Sequence, residues 1–129
     1  MVLPCLYIGP TENMGRGVFT DEDLALGTII EIAPVIVMSA ADREHLDKTL
    51  LHDYIFIWNP PSGQCCMALG YVPIYNHSYE ANCLYEMDYD YETIKVTVVK
   101  EVKAGEQLFI NYNGDPDEKE PVWFHKEGS

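Results

Sequence analysis

Apolar residues along this chain fall into short runs separated by turn residues, and the period is closer to two than to the helical repeat. The clearest case is residues 93–100, where Ile94, Val96 and Val98 alternate with Lys95 and Thr97, as in a strand with one buried face. Residues 2–8 form a mixed β-branched and aromatic run that Gly9-Pro10 is expected to break, and Val18-Phe19-Thr20 follows the turn Gly15-Arg16-Gly17. Residues 28–38 are rich in Ile and Val, with Pro34 implying either an edge strand or two separate pieces. Two runs, 54–58 and 66–69, flank Asn59-Pro60-Pro61-Ser62-Gly63 and predict a hairpin. Residues 84–88 read as a further strand, and Ala104-Gly105 turns the chain into another at 108–110. Only residues 40–51 have helical composition, preceded by Ser39 as a capping residue three positions before Asp42. The sum is a mostly β domain with one or two short helices, which excludes the doubly wound nucleotide-binding folds.

Composition narrows this further. With 129 residues and 47% hydrophobic content, the chain suits one domain over 1–129, with a core at about 7–113 and a polar tail at 114–129. The aromatics in that tail, Trp123 and Phe124, need somewhere to dock. A domain of this size buries roughly two-thirds of its unfolded surface, enough to fold without a metal or disulfide framework. Cys5, Cys65, Cys66 and Cys83 lack zinc-ligand spacing and read as buried reduced thiols. Asn111, Asn113 and Asp115 hint at a calcium loop, but Pro116 takes the place of the required glycine, so no metal is expected. There is no basic leader and no apolar run of bilayer length, so the expectation is a soluble intracellular protein, cytoplasmic or nuclear according to host, with no membrane contact.

The net charge is −13, and no Lys or Arg lies between Lys48 and Lys95, an interval holding Asp53, Glu80, Glu86, Asp88, Asp90 and Glu92. Such a field disfavours direct nucleic acid binding and attracts lysine-rich peptides, although a merely solvated acidic surface would have the same composition.

Three short motifs carry chemistry. Gly15-Arg16-Gly17 is alone an ordinary turn whose glycines let backbone approach a ligand. Asn76-His77-Ser78 followed by Asn82 is a dense polar cluster after the apolar stretch 71–75, and could equally be a hydrogen-bonded loop. Gly105-Glu106-Gln107-Leu108-Phe109-Ile110-Asn111-Tyr112 is a turn, a strand and a terminal tyrosine. In this order and spacing they resemble the SET-domain family of protein lysine methyltransferases, from about Tyr7 to Phe124. The family's central motif N-H-S/C-x-x-P-N is matched with Ala81 in place of proline, and its last motif G-E-E-L/I-x-x-x-Y is matched by Gly105 to Tyr112. The resemblance is to small, zinc-free, single-domain members.

That resemblance implies several twisted sheets with a pseudoknot-like C-terminal crossing. It implies transfer of a methyl group from S-adenosylmethionine to a lysine of a basic, histone-like protein segment. By the same resemblance Tyr112 is the catalytic residue, and Gly15, Arg16, Gly17, Asn76, His77, Tyr112 and Trp123 bind the cofactor. Tyr54, Tyr85 and Phe124 then line the lysine channel, and a homodimer is expected as in other small members. The alternative is a catalytically weak module of the same fold that binds basic peptides or S-adenosylmethionine; transfer to a small amine is a third reading.

Overall fold

The computed structural model describes residues 1–112. Its elements are β1 (Leu6–Pro10), β2 (Arg16–Thr20), β3 (Ile29–Met38), α1 (Ala40–Leu46), β4 (Phe56–Ile57), β5 (Cys65–Ala68), β6 (Asn76–His77), β7 (Cys83–Asp88), β8 (Thr93–Val98) and β9 (Gln107–Ile110). Two 3-10 turns, Leu50–Asp53 and Val72–Ile74, complete them. Among the described residues the strands run in the order β1-β2-β9-β7-β8-β3-β5-β4, with β6 attached to β9.

The alternating segment behaves as its pattern requires: Ile94, Val96 and Val98 are buried in β8, between β7 and β3. With Val18, Ile30, Leu108 and Ile110 they form the centre of the apolar core. The hairpin also forms, Phe56 pairing with Cys66 and Ile57 with Cys65.

Three expectations are corrected. The first strand runs through Gly9-Pro10, pairing Gly9 with Gly17 and Pro10 with Arg16, because β1 is an edge strand where a missing N–H costs no ladder bond. The Ile/Val run is neither an edge strand nor two pieces. It is one interior strand in which Pro34 ends the ladder with β8 and Val35 begins the ladder with β5, so the proline sits where the partner changes. The helix stops at Leu46, short of residue 51, and the chain continues into the 3-10 turn. Ser39 does cap α1, its hydroxyl accepting from the Asp42 N–H at 3.1 Å.

A register shift between Ile29 and Glu31 in β3 has a local consequence. Ile30 and Glu31 are both buried, so Glu31 comes into phase with inward-facing Ala33 and Val35. Cys5, Cys65, Cys66 and Cys83 are buried free thiols. Burial pushes the Cys66 and Cys83 thiols up to about 12, far from the range in which a thiol is nucleophilic. No helix among the described residues is long and apolar enough to cross a membrane.

Candidate active site

β9 is the element around which the site is assembled. On one side it pairs antiparallel with β2, Val18 opposite Leu108. It also pairs in parallel with β6, Asn76 opposite Phe109 and His77 opposite Ile110, and meets β7 where Cys83 faces Ile110. This crossing brings the glycine turn, the Asn-His segment and the end of the tyrosine strand to one place, although they lie in three separate parts of the sequence.

Asn82 locks the crossing by acting as a surrogate strand residue. Its Nδ2 donates to the Gln107 carbonyl at 3.0 Å, its Oδ1 accepts from the Phe109 N–H at 2.8 Å, and its own carbonyl accepts from the Val99 N–H at 2.8 Å. Ala81, where the family places proline, is fully buried beside it. A small apolar side chain fills that position without requiring the ring.

The glycine turn is fastened to this crossing by side-chain amides. Asn76 Nδ2 donates to the Arg16 carbonyl at 3.0 Å and to Gln107 Oε1 at 2.9 Å. Gly17 is buried against that pair: a Cβ there would overlap Gln107 Oε1 and stand 2.9 Å from Gln107 Cδ and 3.0 Å from Asn76 Nδ2. Gly15 has φ of +69°, in the left-handed region that glycine adopts without strain. The Arg16 side chain is exposed at the mouth of the turn.

Tyr112 follows β9 and is tied to other described residues through its N–H, its carbonyl and its hydroxyl. Its N–H donates to His77 Nδ1 at 3.1 Å, its carbonyl accepts from the Tyr85 hydroxyl at 3.1 Å, and its own hydroxyl donates to the Tyr75 carbonyl. Rings surround it: Phe56 lies edge-on at 6.3 Å, His77 is tilted at 5.2 Å, and Tyr85 meets Phe56 edge-on at 5.2 Å. Burial first, then the Tyr54 and Tyr85 hydroxyls and the Asp53 carboxylate, raise the Tyr112 phenol well above the ordinary tyrosine range. Tyr85 is pushed up to about 12, mainly by burial. Both phenols are therefore neutral donors at physiological pH, and neither can serve as a base.

Of the residues singled out in the sequence, Gly15, Arg16, Gly17, Asn76, His77, Tyr85 and Tyr112 converge at this crossing. Tyr54 closes the 3-10 turn Leu50–Asp53 and is near enough to Tyr112 to influence its ionisation. Trp123 and Phe124 lie outside the described residues. Sequence reasoning missed Gln107, Phe56 and Tyr75 as parts of the site and quoted Asn82 without giving it a task. Phe56 was detectable as the second aromatic of an alternating pair with Tyr54. Among the described residues no group of three His, Cys, Asp or Glu side chains could hold a metal ion.

The donor set suits a zwitterionic, sulfonium-bearing nucleoside. An exposed guanidinium at Arg16 can meet a carboxylate, a backbone turn pinned by Asn76 can approach closely, and the ring cluster around Tyr112 suits a cation. Short sheets joined through β9, with the half-buried Tyr112 at its end, are the features to set beside known proteins. The family model for the SET domain matches residues 15–113. A Schizosaccharomyces pombe histone-lysine N-methyltransferase, H3 lysine-37 specific, is 35% identical over 125 residues, covering 96% of this chain and 80% of that protein. Among solved structures, the Chaetomium thermophilum Polycomb Repressive Complex 2 bound to S-adenosylmethionine matches at 26% identity with a TM-score of 0.69, over 84% of this chain and 15% of the other. A candidate histone methyltransferase from Plasmodium falciparum matches at 24% identity with a TM-score of 0.65, over 86% of this chain and 95% of the other, and shares the fold. The chain belongs to the SET-domain family, the protein-lysine methyltransferases that use S-adenosylmethionine.

Proposed function

We propose that this protein methylates a lysine in a histone-like basic segment, with Tyr112 as the catalytic residue. S-adenosylmethionine, when bound, supplies an electrophilic methyl group on a sulfonium. Gly15, Arg16 and Gly17 with Asn76 and His77 form its cradle, braced by Gln107 and Asn82. Tyr54, Phe56 and Tyr85 line the lysine channel.

The observation that carries this reading is the tethering of the Tyr112 hydroxyl to the Tyr75 carbonyl inside a box of rings, with the glycine turn fastened alongside. The reacting amine must be neutral. An apolar, desolvated channel facing a positive charge lowers a lysine pKa, so no protein base is required. What the residues supply is placement: with its proton on the Tyr75 carbonyl, the Tyr112 hydroxyl presents its lone pairs, and that carbonyl its second lone pair, as fixed acceptors beside the line of transfer. The acidic interval around Glu86, Asp88 and Asp90 supports a basic substrate, since its field draws lysine-rich segments toward the domain. A second copy completing the peptide groove is part of the same proposal; light scattering that gives only monomer at assay concentration contradicts it.

The test is transfer of labelled methyl from S-adenosylmethionine to histone H3 and to a panel of other basic proteins, with Tyr112→Phe alongside. Labelled lysine that falls roughly a hundredfold in the variant is expected. Cofactor binding without any labelled protein, or an unchanged rate in Tyr112→Phe, defeats the reading.

A further inference from the structure

Glu31 is the only charged residue in the apolar run Ile29–Met38, and it is fully buried. Its two carboxylate oxygens grip the two ends of one short turn. Oε2 accepts from the Tyr71 N–H at 2.7 Å, immediately before the 3-10 turn Val72–Ile74, and Oε1 accepts from the Tyr75 hydroxyl at 3.1 Å, immediately after it. The turn is further closed by the Ile74 N–H on the Tyr71 carbonyl at 2.8 Å. Gly70 makes the seat possible, because a Cβ there would stand 2.5 Å from Glu31 Oε2, and its φ of +91° suits glycine alone. The Tyr75 ring is itself fully buried, so its backbone has little freedom to drift.

The carbonyl leaving this clamp is the one that receives the Tyr112 hydroxyl. A chain of contacts therefore runs from Glu31 through Tyr75 to Tyr112, and the hydrogen bonds of the Glu31 carboxylate go to the segment around the 3-10 turn Val72–Ile74, at Tyr71 and Tyr75. We propose that Glu31 is a positioning residue for catalysis, setting the Tyr75 carbonyl at the point to which the Tyr112 hydroxyl is tethered. The proposal rests on Tyr112 being catalytic. A carboxylate held in an apolar strand is costly to bury, and a hydrophobic residue of similar size would pack there at less cost if filling the core were its only task.

The test uses the whole chain with Tyr75→Phe, which deletes only the hydroxyl, and Glu31→Gln, which keeps the shape. Four quantities are read in each: kcat and KM on the histone peptide, affinity for S-adenosylmethionine, and the ring resonance of Tyr112 in protein carrying labelled tyrosine, assigned by its disappearance in Tyr112→Phe. Tyr75→Phe is expected to lower kcat roughly tenfold and shift the Tyr112 resonance, with KM for the peptide and cofactor affinity within about twofold of wild type. Glu31→Gln, which can still accept from the Tyr71 N–H, is expected to retain more activity than Tyr75→Phe. A Tyr112 resonance unmoved in Tyr75→Phe, or losses of kcat and cofactor affinity that simply track loss of thermal stability, overturns the positioning role. Wild-type protein that is inactive, or Tyr112→Phe that is fully active, instead defeats the assignment of Tyr112 on which the role depends.

Discussion

The backbone N–H of Tyr112 donates to His77 Nδ1 at 3.1 Å, so the ring that closes the Asn-His segment also fixes where the tyrosine leaves β9. Accepting at Nδ1 requires that nitrogen to be unprotonated, which makes His77 a neutral brace and not an acid. His77→Ala should therefore reduce turnover and cost about 1–3 kcal/mol of stability, since a half-buried N–H loses its acceptor. His77→Asn offers an oxygen close to the Nδ1 position and should recover part of both. Parallel measurement of kcat and the denaturation midpoint in the two variants checks this; equal losses in both would show that the acceptor is irrelevant.

Gly17→Ala should damage cofactor binding more than folding. The added methyl collides with Gln107 and Asn76 Nδ2, the groups that hold the glycine turn, at a packing cost of about 1–3 kcal/mol. Calorimetry is expected to show weakened affinity for S-adenosylmethionine with the melting transition still cooperative. Pairing the change with Gln107→Ala, which empties the space, should restore some of the affinity.

Tyr85→Phe tests the channel. Removing the hydroxyl that bonds the Tyr112 carbonyl leaves the Phe56 ring contact in place and frees room for a bulkier amine. Mass spectrometry of the product should show a shift toward more highly methylated lysine, at a total rate within about tenfold of wild type.

Much of the fold could be read in advance where one face of a strand is buried, because the Ile94, Val96, Val98 alternation is itself the physical cause of β8. The site was legible as three motifs but not as a mechanism, because Asn76, Gln107 and Tyr112 meet only through the parallel crossing at β9, which no local pattern encodes. Proline was misread twice for the same reason: Pro10 and Pro34 are harmless only because of which neighbours they have or lack in the sheet. Glu31 was visible as a lone charge in an apolar run, yet its partners Tyr71 and Tyr75 are 40 and 44 residues away.

Glu31 also predicts a pH effect on stability. Burial raises its carboxyl above the ordinary glutamate range, against the opposing pull of the Tyr71 N–H, the Tyr75 hydroxyl and the chain's amino terminus. Folding thus favours the protonated form. Its contribution is fully present below the unfolded value and is lost as pH rises through the raised one. Chemical denaturation of wild type and Glu31→Gln across that interval should show the wild type losing stability relative to the variant as pH increases. A difference independent of pH would mean that Glu31 titrates alike in both states.

The insertion of β9 between β2 on one side and β6 and β7 on the other has a consequence in time as well as in space. Its partners precede it by up to about ninety positions, so its ladders close long loops at a high entropic cost, which slows folding. On the proposed reading, the cradle, the channel and the placement of the Tyr112 hydroxyl all depend on this one set of pairings. A molecule in which β9 has slipped out would lose the pairing that joins β1 and β2 to β7 and β8, so peptides or small molecules that mimic β9 and compete for its slot are expected to inhibit the enzyme.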